Sequence, residues 1–200
     1  MCGRYTFFTD KELSEINDII EQVSNDTQRS KMKTGEIFPT DVVPVLVPEK
    51  KNVVAHLFTW GFPSFNNKGV IINARSETVH EKRMFKSSLE TRRCVVPSTG
   101  FYEWDSKKKK FLFNLPDSPL LYMAGIYNKF EGENRYLILT TDSNSSVLDV
   151  HKRMPVVLPK DKIEDWLFDY KAIDEILFND HPSLVKKDAL QYQTLSFFQE

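Results

Sequence analysis

The residues with the most unusual chemical reach stand at the start of the chain, in the run Cys2, Gly3, Arg4, Tyr5. With Met1 removed, Cys2 carries a free α-amine and a thiol on adjacent carbons. Their reference pKa values, about 8 and about 8.5, leave each partly deprotonated near neutral pH. An aldehyde can condense with the amine to a Schiff base, and the thiol can then close a five-membered thiazolidine ring. An internal cysteine cannot do this, because its nitrogen is locked in an amide. The competing reading is an ordinary second-position cysteine in a frayed terminus, so the rest of the chain has to decide.

Three further stretches hold polar residues where a plain core would not need them. In Ile72-Asn73-Ala74-Arg75-Ser76-Glu77, Asn73 ends an apolar run; it could equally cap a following helix. In Gly100-Phe101-Tyr102-Glu103-Trp104 a carboxylate sits between aromatics, which can raise its pKa and suit it to general acid–base work; a solvent-facing position on an alternating strand is the alternative. In His151-Lys152-Arg153-Met154-Pro155 an imidazole precedes a strand, placed to shuttle protons or meet a phosphate, or simply to decorate a surface loop.

Taken together, Cys-Gly-Arg, Asn-Ala-Arg-Ser-Glu, Gly-Phe-Tyr-Glu-Trp and His-Lys-Arg-Met-Pro, in this order, resemble the SOS response-associated peptidase (SRAP) family, whose members sense abasic sites in single-stranded DNA. The resemblance runs from Cys2 through at least Leu158. It implies an SRAP-like domain over residues 1–200 whose mature Cys2 crosslinks to the ring-opened sugar aldehyde of an abasic site, with Asn73, Glu103 and His151 around that site. A β-elimination side reaction through the Schiff base would be suppressed by ring closure. Arg4, Arg75, Arg83 and Arg153 are candidates for phosphate contacts. Trp60, Trp104 and Phe38 are candidates for stacking on bases, at about 1–3 kcal/mol per base, with core packing as the alternative for each. The expected partner is single-stranded DNA with abasic sites, bound by a monomer with no cofactor. Two other readings stay open: a thiol peptidase acting on its own Met1–Cys2 bond, and a non-covalent reader of modified DNA.

The elements that must position these groups can be read from pattern. Residues 5–8 form a strand that would tie down the terminus. Thr9 and Glu12 match a capping box, and Leu13, Ile16, Ile20 and Val23 follow at helical spacing, predicting a helix over 10–23. Residues 24–36 read as loop. Residues 42–47 are a β-branched strand whose Pro44 predicts an edge or a bulge, with a return strand over 53–60. Strands follow at 70–73, 94–97, 101–104, 111–115, 121–127, 136–141, 156–158 and 192–197. Helices are expected at 76–89, 161–168 and 173–178, and one helical turn at 147–150. Many short strands with few helices predict a single α+β domain around a curved, mostly antiparallel sheet or partly closed β-barrel.

Composition narrows the classes. The net charge of −1 gives no bulk attraction to nucleic acid or membrane, but residues 68–110 hold 11 Lys+Arg against 5 Asp+Glu, so basic charge is concentrated mid-chain. Within it, Lys107 to Lys110 read as a solvated hairpin tip. Two cysteines make no disulfide framework and fit a reducing compartment. No metal site is expected, because the cysteines and histidines lack ligand spacing. The sequence shows no secretory h-region and no apolar run long enough to span a membrane, so a cytoplasmic protein is expected.

Overall fold

The structure, a computed structural model, describes residues 2–9, 14–65 and 68–189. Its strands are β1 (Arg4–Phe7), β2 (Gly35–Ile37), β3 (Val42–Glu49), β4 (Asn52–Trp60), β5 (Phe62–Pro63), β6 (Val70–Ile71), β7 (Asn73–Arg75), β8 (Arg93–Ser98), β9 (Gly100–Trp104), β10 (Lys110–Asn114), β11 (Leu121–Phe130), β12 (Glu133–Asp142), β13 (Arg153–Pro155), β14 (Val157–Leu158) and β15 (Val185–Asp188). The helices are α1 (Ser14–Gln22), α2 (Arg83–Thr91), α3 (Ile163–Phe168) and α4 (Ile173–Phe178).

Five strands close into a barrel in the order β4-β3-β8-β11-β12, with β12 returning to β4. All neighbours are antiparallel except β12 and β4, which run parallel. This is the expected α+β domain, with a barrel more completely closed than the sequence pattern foretold. The long hairpin of β11 and β12 turns through Glu131 and Gly132, whose φ angles of 49° and 89° match a tight two-residue connection. Every residue of β8 is buried, because helices α2 and α3 cover the face that turns away from the barrel interior.

A second sheet, β15-β10-β9-β1-β2, leans on the barrel. The chain passes from one sheet to the other between Ser98 and Gly100. Gly100 has φ +152°, and a Cβ there would lie 2.9 Å from the Phe113 carbonyl oxygen, so a side chain cannot be accommodated. Thr6 fastens β1 to this crossing. Its carbonyl accepts from Thr99 N–H at 2.8 Å and from Ser98 Oγ at 3.1 Å, and its hydroxyl donates to Gly100 O at 3.1 Å.

Several expectations are corrected. Pro44 does not mark an edge: β3 lies between β4 and β8. Its ladder to β8 is confined to Leu46 opposite Val95, which spares Pro44 a donor it lacks. The helix predicted over 76–89 is a single 3₁₀ turn at Ser76–Thr78 followed by α2. Residues 147–150 make the single helical turn expected, closed by His151 N–H donating to Val147 O at 3.0 Å. The stretch 24–36, expected as loop, runs into β2, and β15 lies where no element is expected. The capping box and the strand predicted at 192–197 fall on residues outside those described. Among the described residues no helix is long and apolar enough to cross a membrane.

Arg93 is 5% exposed and closes two helices at once. Its guanidinium donates to Leu89 O and Glu90 O (each 2.9 Å) near the end of α2, and to Trp166 O (2.5 Å) and Leu167 O (3.2 Å) in α3. A cation is favoured where helix carbonyls converge. We expect Arg93→Met to lose about 3 kcal/mol or more of stability by urea denaturation, because these carbonyls would stay buried without donors. An unchanged midpoint would refute this account of Arg93.

Candidate active site

The site forms where the first strand meets β9 and β7. In the β1–β9 ladder Arg4 faces Tyr102, which carries the residues before Arg4 alongside Glu103 and Trp104. β7 runs parallel to β12, with Asn73 beside Ile138. β13 pairs with the far end of β12, with Arg153 opposite Asp142, and this brings in the loop that bears His151.

Cys2 is completely buried. Asn73 Nδ2 donates to its carbonyl at 2.9 Å, and its thiol lies 3.6 Å from Arg4 O. The strand behind it is locked by a buried hydroxyl pair, Tyr5 and Tyr136, at 2.6 Å, with Trp60 edge-on to the Tyr5 ring at 5.2 Å. Burial pushes the Cys2 thiol far above its ordinary range, and the nearby charge of Glu103 adds to the effect. Glu103, 3% exposed, is itself raised above the usual carboxyl range by burial, with attraction to His151 opposing. The three groups thus share one electrostatic neighbourhood. The backbone fixes the His151 ring: Nδ1 lies 3.0 Å from Arg153 N and 3.1 Å from Arg153 O. Ser143 Oγ donates to His151 O at 2.7 Å and anchors the loop. Asn73 Oδ1 is buried with no hydrogen-bond partner among the described residues.

The structure therefore gathers Cys2, Asn73, Glu103 and His151. It distributes the other candidates unevenly. Arg75 and Arg83 line a cleft of roughly 570 Å³ beside Asn73, together with Phe65 and Met84. Arg4 lies over the ring of Phe38 at 4.4 Å and that of Trp104 at 5.4 Å, so these three form one rim. Trp60 is fully buried and donates to Ile72 O at 3.1 Å, a core position from which it meets no base. Arg153 is bidentate to Glu77 at 2.5 and 2.9 Å and also bonds Asp142 at 2.7 Å, so its charge is already matched within the protein. Sequence reading missed Phe65, which is 89% exposed at the cleft. It also missed Glu36, which bonds Arg4. An isolated Phe or Glu in a polar stretch carries no periodic signal that would have found either.

Comparison with known proteins identifies what the chain as a whole is similar to. The Abasic site processing proteins YoaM and YoqW of Bacillus subtilis are 33% and 35% identical over 184 and 187 residues, each alignment covering 84% of this chain and 79% and 80% of the relative. The Abasic site processing protein YedK of Escherichia coli is 27% identical over 177 residues, 84% of this chain and 79% of its own. A crystal structure of a Bacteroides thetaiotaomicron protein superposes with a TM-score of 0.75 at 24% identity, covering 92% of this chain and 90% of that one, a likeness of fold. The family described as SOS response associated peptidase (SRAP) matches residues 1–194. The chain belongs to the SRAP family.

Proposed function

We propose that this protein, with Met1 removed, processes abasic sites in single-stranded DNA by forming a thiazolidine crosslink through Cys2. The observation that carries the reading is the seating of Cys2: a buried residue at the chain's start, its carbonyl held by Asn73, in the field of a buried carboxyl. The relatives named abasic site processing proteins supply the substrate class.

The closed abasic sugar must first open. Glu103 in its acid form gives a proton to the ring oxygen, and the hemiacetal hydroxyl loses one, leaving the C1′ aldehyde. The Cys2 amine adds to that carbon, and loss of one water gives the imine. The thiol then adds across the C=N bond, sulfur to carbon and proton to nitrogen. One water is released overall. The raised pKa of the buried thiol favours attack by the amine first. The same direction of shift disfavours the thiolate that peptide cleavage would need. Asn73 Oδ1, buried without a partner, is available to accept a hydrogen bond from the freed amine without adding charge. Arg75 and Arg83 in the adjoining cleft supply phosphate contacts.

Intact-mass measurement tests this directly. Protein lacking Met1, incubated with an abasic single-stranded oligonucleotide, is expected to gain the oligonucleotide mass less one water. Cys2→Ala and Cys2→Ser both keep the α-amine and lose the thiol, so each should give no heat-stable adduct and only an imine that is trapped by borohydride reduction and not otherwise. A heat-stable adduct from Cys2→Ala at undiminished yield would overturn the proposal.

A stability measurement tests the role of Glu103. Its folded pKa is raised, so its contribution to stability is present below the unfolded carboxyl pKa and is lost as pH rises through the folded value. Glu103→Gln should therefore melt higher than the parent at pH 7.5 and no higher at pH 4, while slowing adduct formation about 10²-fold or more. A Tm at pH 7.5 equal to the parent's would contradict a buried, destabilised carboxyl.

A further inference from the structure

The outward face of the second sheet carries a charge arrangement that the crosslinking chemistry does not use. Thr6 pairs with Glu36 in the β1–β2 ladder, Arg4 with Tyr102 in β1–β9, and Lys110 with Trp104 in β9–β10. Strand alternation therefore puts Glu36, Arg4, Tyr102, Trp104 and Lys110 on one face. A single oxygen, Glu36 Oε1, accepts from Arg4 Nη1 at 3.1 Å and from Lys110 Nζ at 2.7 Å. Both cations are also seated on aromatic rings. Lys110 Nζ lies 3.7 Å from the Tyr102 ring centre, and the Arg4 guanidinium lies 4.4 Å from that of Phe38.

That double seating determines what Glu36 does. Cation–π contact with Tyr102 and Phe38 already holds the two side chains in place, so the carboxylate is not required to aim them. Its effect is on charge: two cations at the rim present a net of about one. Arg4 stands two residues from Cys2 in sequence, so a strand bound at Cys2 would pass close to it. Its side chain is 38% exposed, against 23% for Glu36, so an incoming phosphate can reach the guanidinium.

We propose that Glu36 is a specificity-determining residue, an internal counter-anion that occupies the Arg4–Lys110 pair until a DNA phosphate displaces it. Undamaged single strands must compete with a carboxylate that is already bonded, and the site thereby holds them weakly. A strand captured at Cys2 is retained covalently and is not selected by this pair. The inference rests on the proposed binding of single-stranded DNA.

The test is binding of an undamaged fluorescent single-stranded oligonucleotide by anisotropy across a salt series, with the Met1-free protein and its Glu36→Gln, Lys110→Gln and doubly substituted forms. Glu36→Gln preserves shape at a half-buried position on an edge strand. It should bind the intact strand about 3- to 10-fold more tightly at low salt, with a salt slope steeper by about 0.7, the value for one added phosphate contact. Lys110→Gln added to it should cancel most of that gain. The ratio of abasic to intact affinity should fall in Glu36→Gln. Equal or weaker binding by Glu36→Gln, in a parent that still crosslinks abasic DNA, would overturn the inference alone and make Glu36 an ordinary support for Arg4. Failure of every form to bind any single strand would overturn it together with the functional reading beneath it.

Discussion

A residue at the start of a chain is held in one place when the strand that follows it is bonded on both sides. Here β1 lies between β2 and β9. Thr6 ties it to the Ser98–Gly100 crossing, and Tyr5 ties it to Tyr136 on the barrel. Terminal strands ordinarily fray because they lose few contacts by opening. Opening this one would break two ladders and expose the buried Tyr5 and Phe7. The position of Cys2 follows from that restraint, and Glu103 and Asn73 are placed by the same two junctions, β1 with β9 and β7 with β12.

The electrostatics of the site follow from its burial. Cys2 and Glu103 lie in a low-dielectric region where neither charged form is favoured. In the reaction proposed above, this favours a neutral amine and a carboxylic acid over a thiolate. Cationic groups are kept to the margins. Arg75 and Arg83 line the cleft, and Arg4 lies on the rim. Arg93, counted in the same basic stretch of sequence, serves instead as an internal cap for two helices.

Much of this was legible in the sequence. The four polar motifs announced Cys2, Asn73, Glu103 and His151, and alternation with turn residues announced a strand-rich α+β domain. What stayed hidden has physical reasons. β2 (Gly-Glu-Ile) and β15 (Val-Lys-Lys-Asp) are edge strands, short and polar, as edges tend to be. Pro44 was misread because a proline in a barrel strand is tolerated where the ladder on one side spares its nitrogen. Trp60 and Arg153 have the residue types of a DNA surface. Composition cannot reveal that one is buried against Tyr5 and the other is already paired with Glu77.

The placement of the three tryptophans has an optical consequence. Trp60 and Trp166 are wholly enclosed, whereas Trp104 is partly open on the rim beside Arg4 and Lys110. A water-soluble quencher should reach that indole and leave the other two dark to it. The protein thus carries, on the rim beside Arg4 and Lys110, a native fluorophore that reports on what reaches that rim without any attached dye.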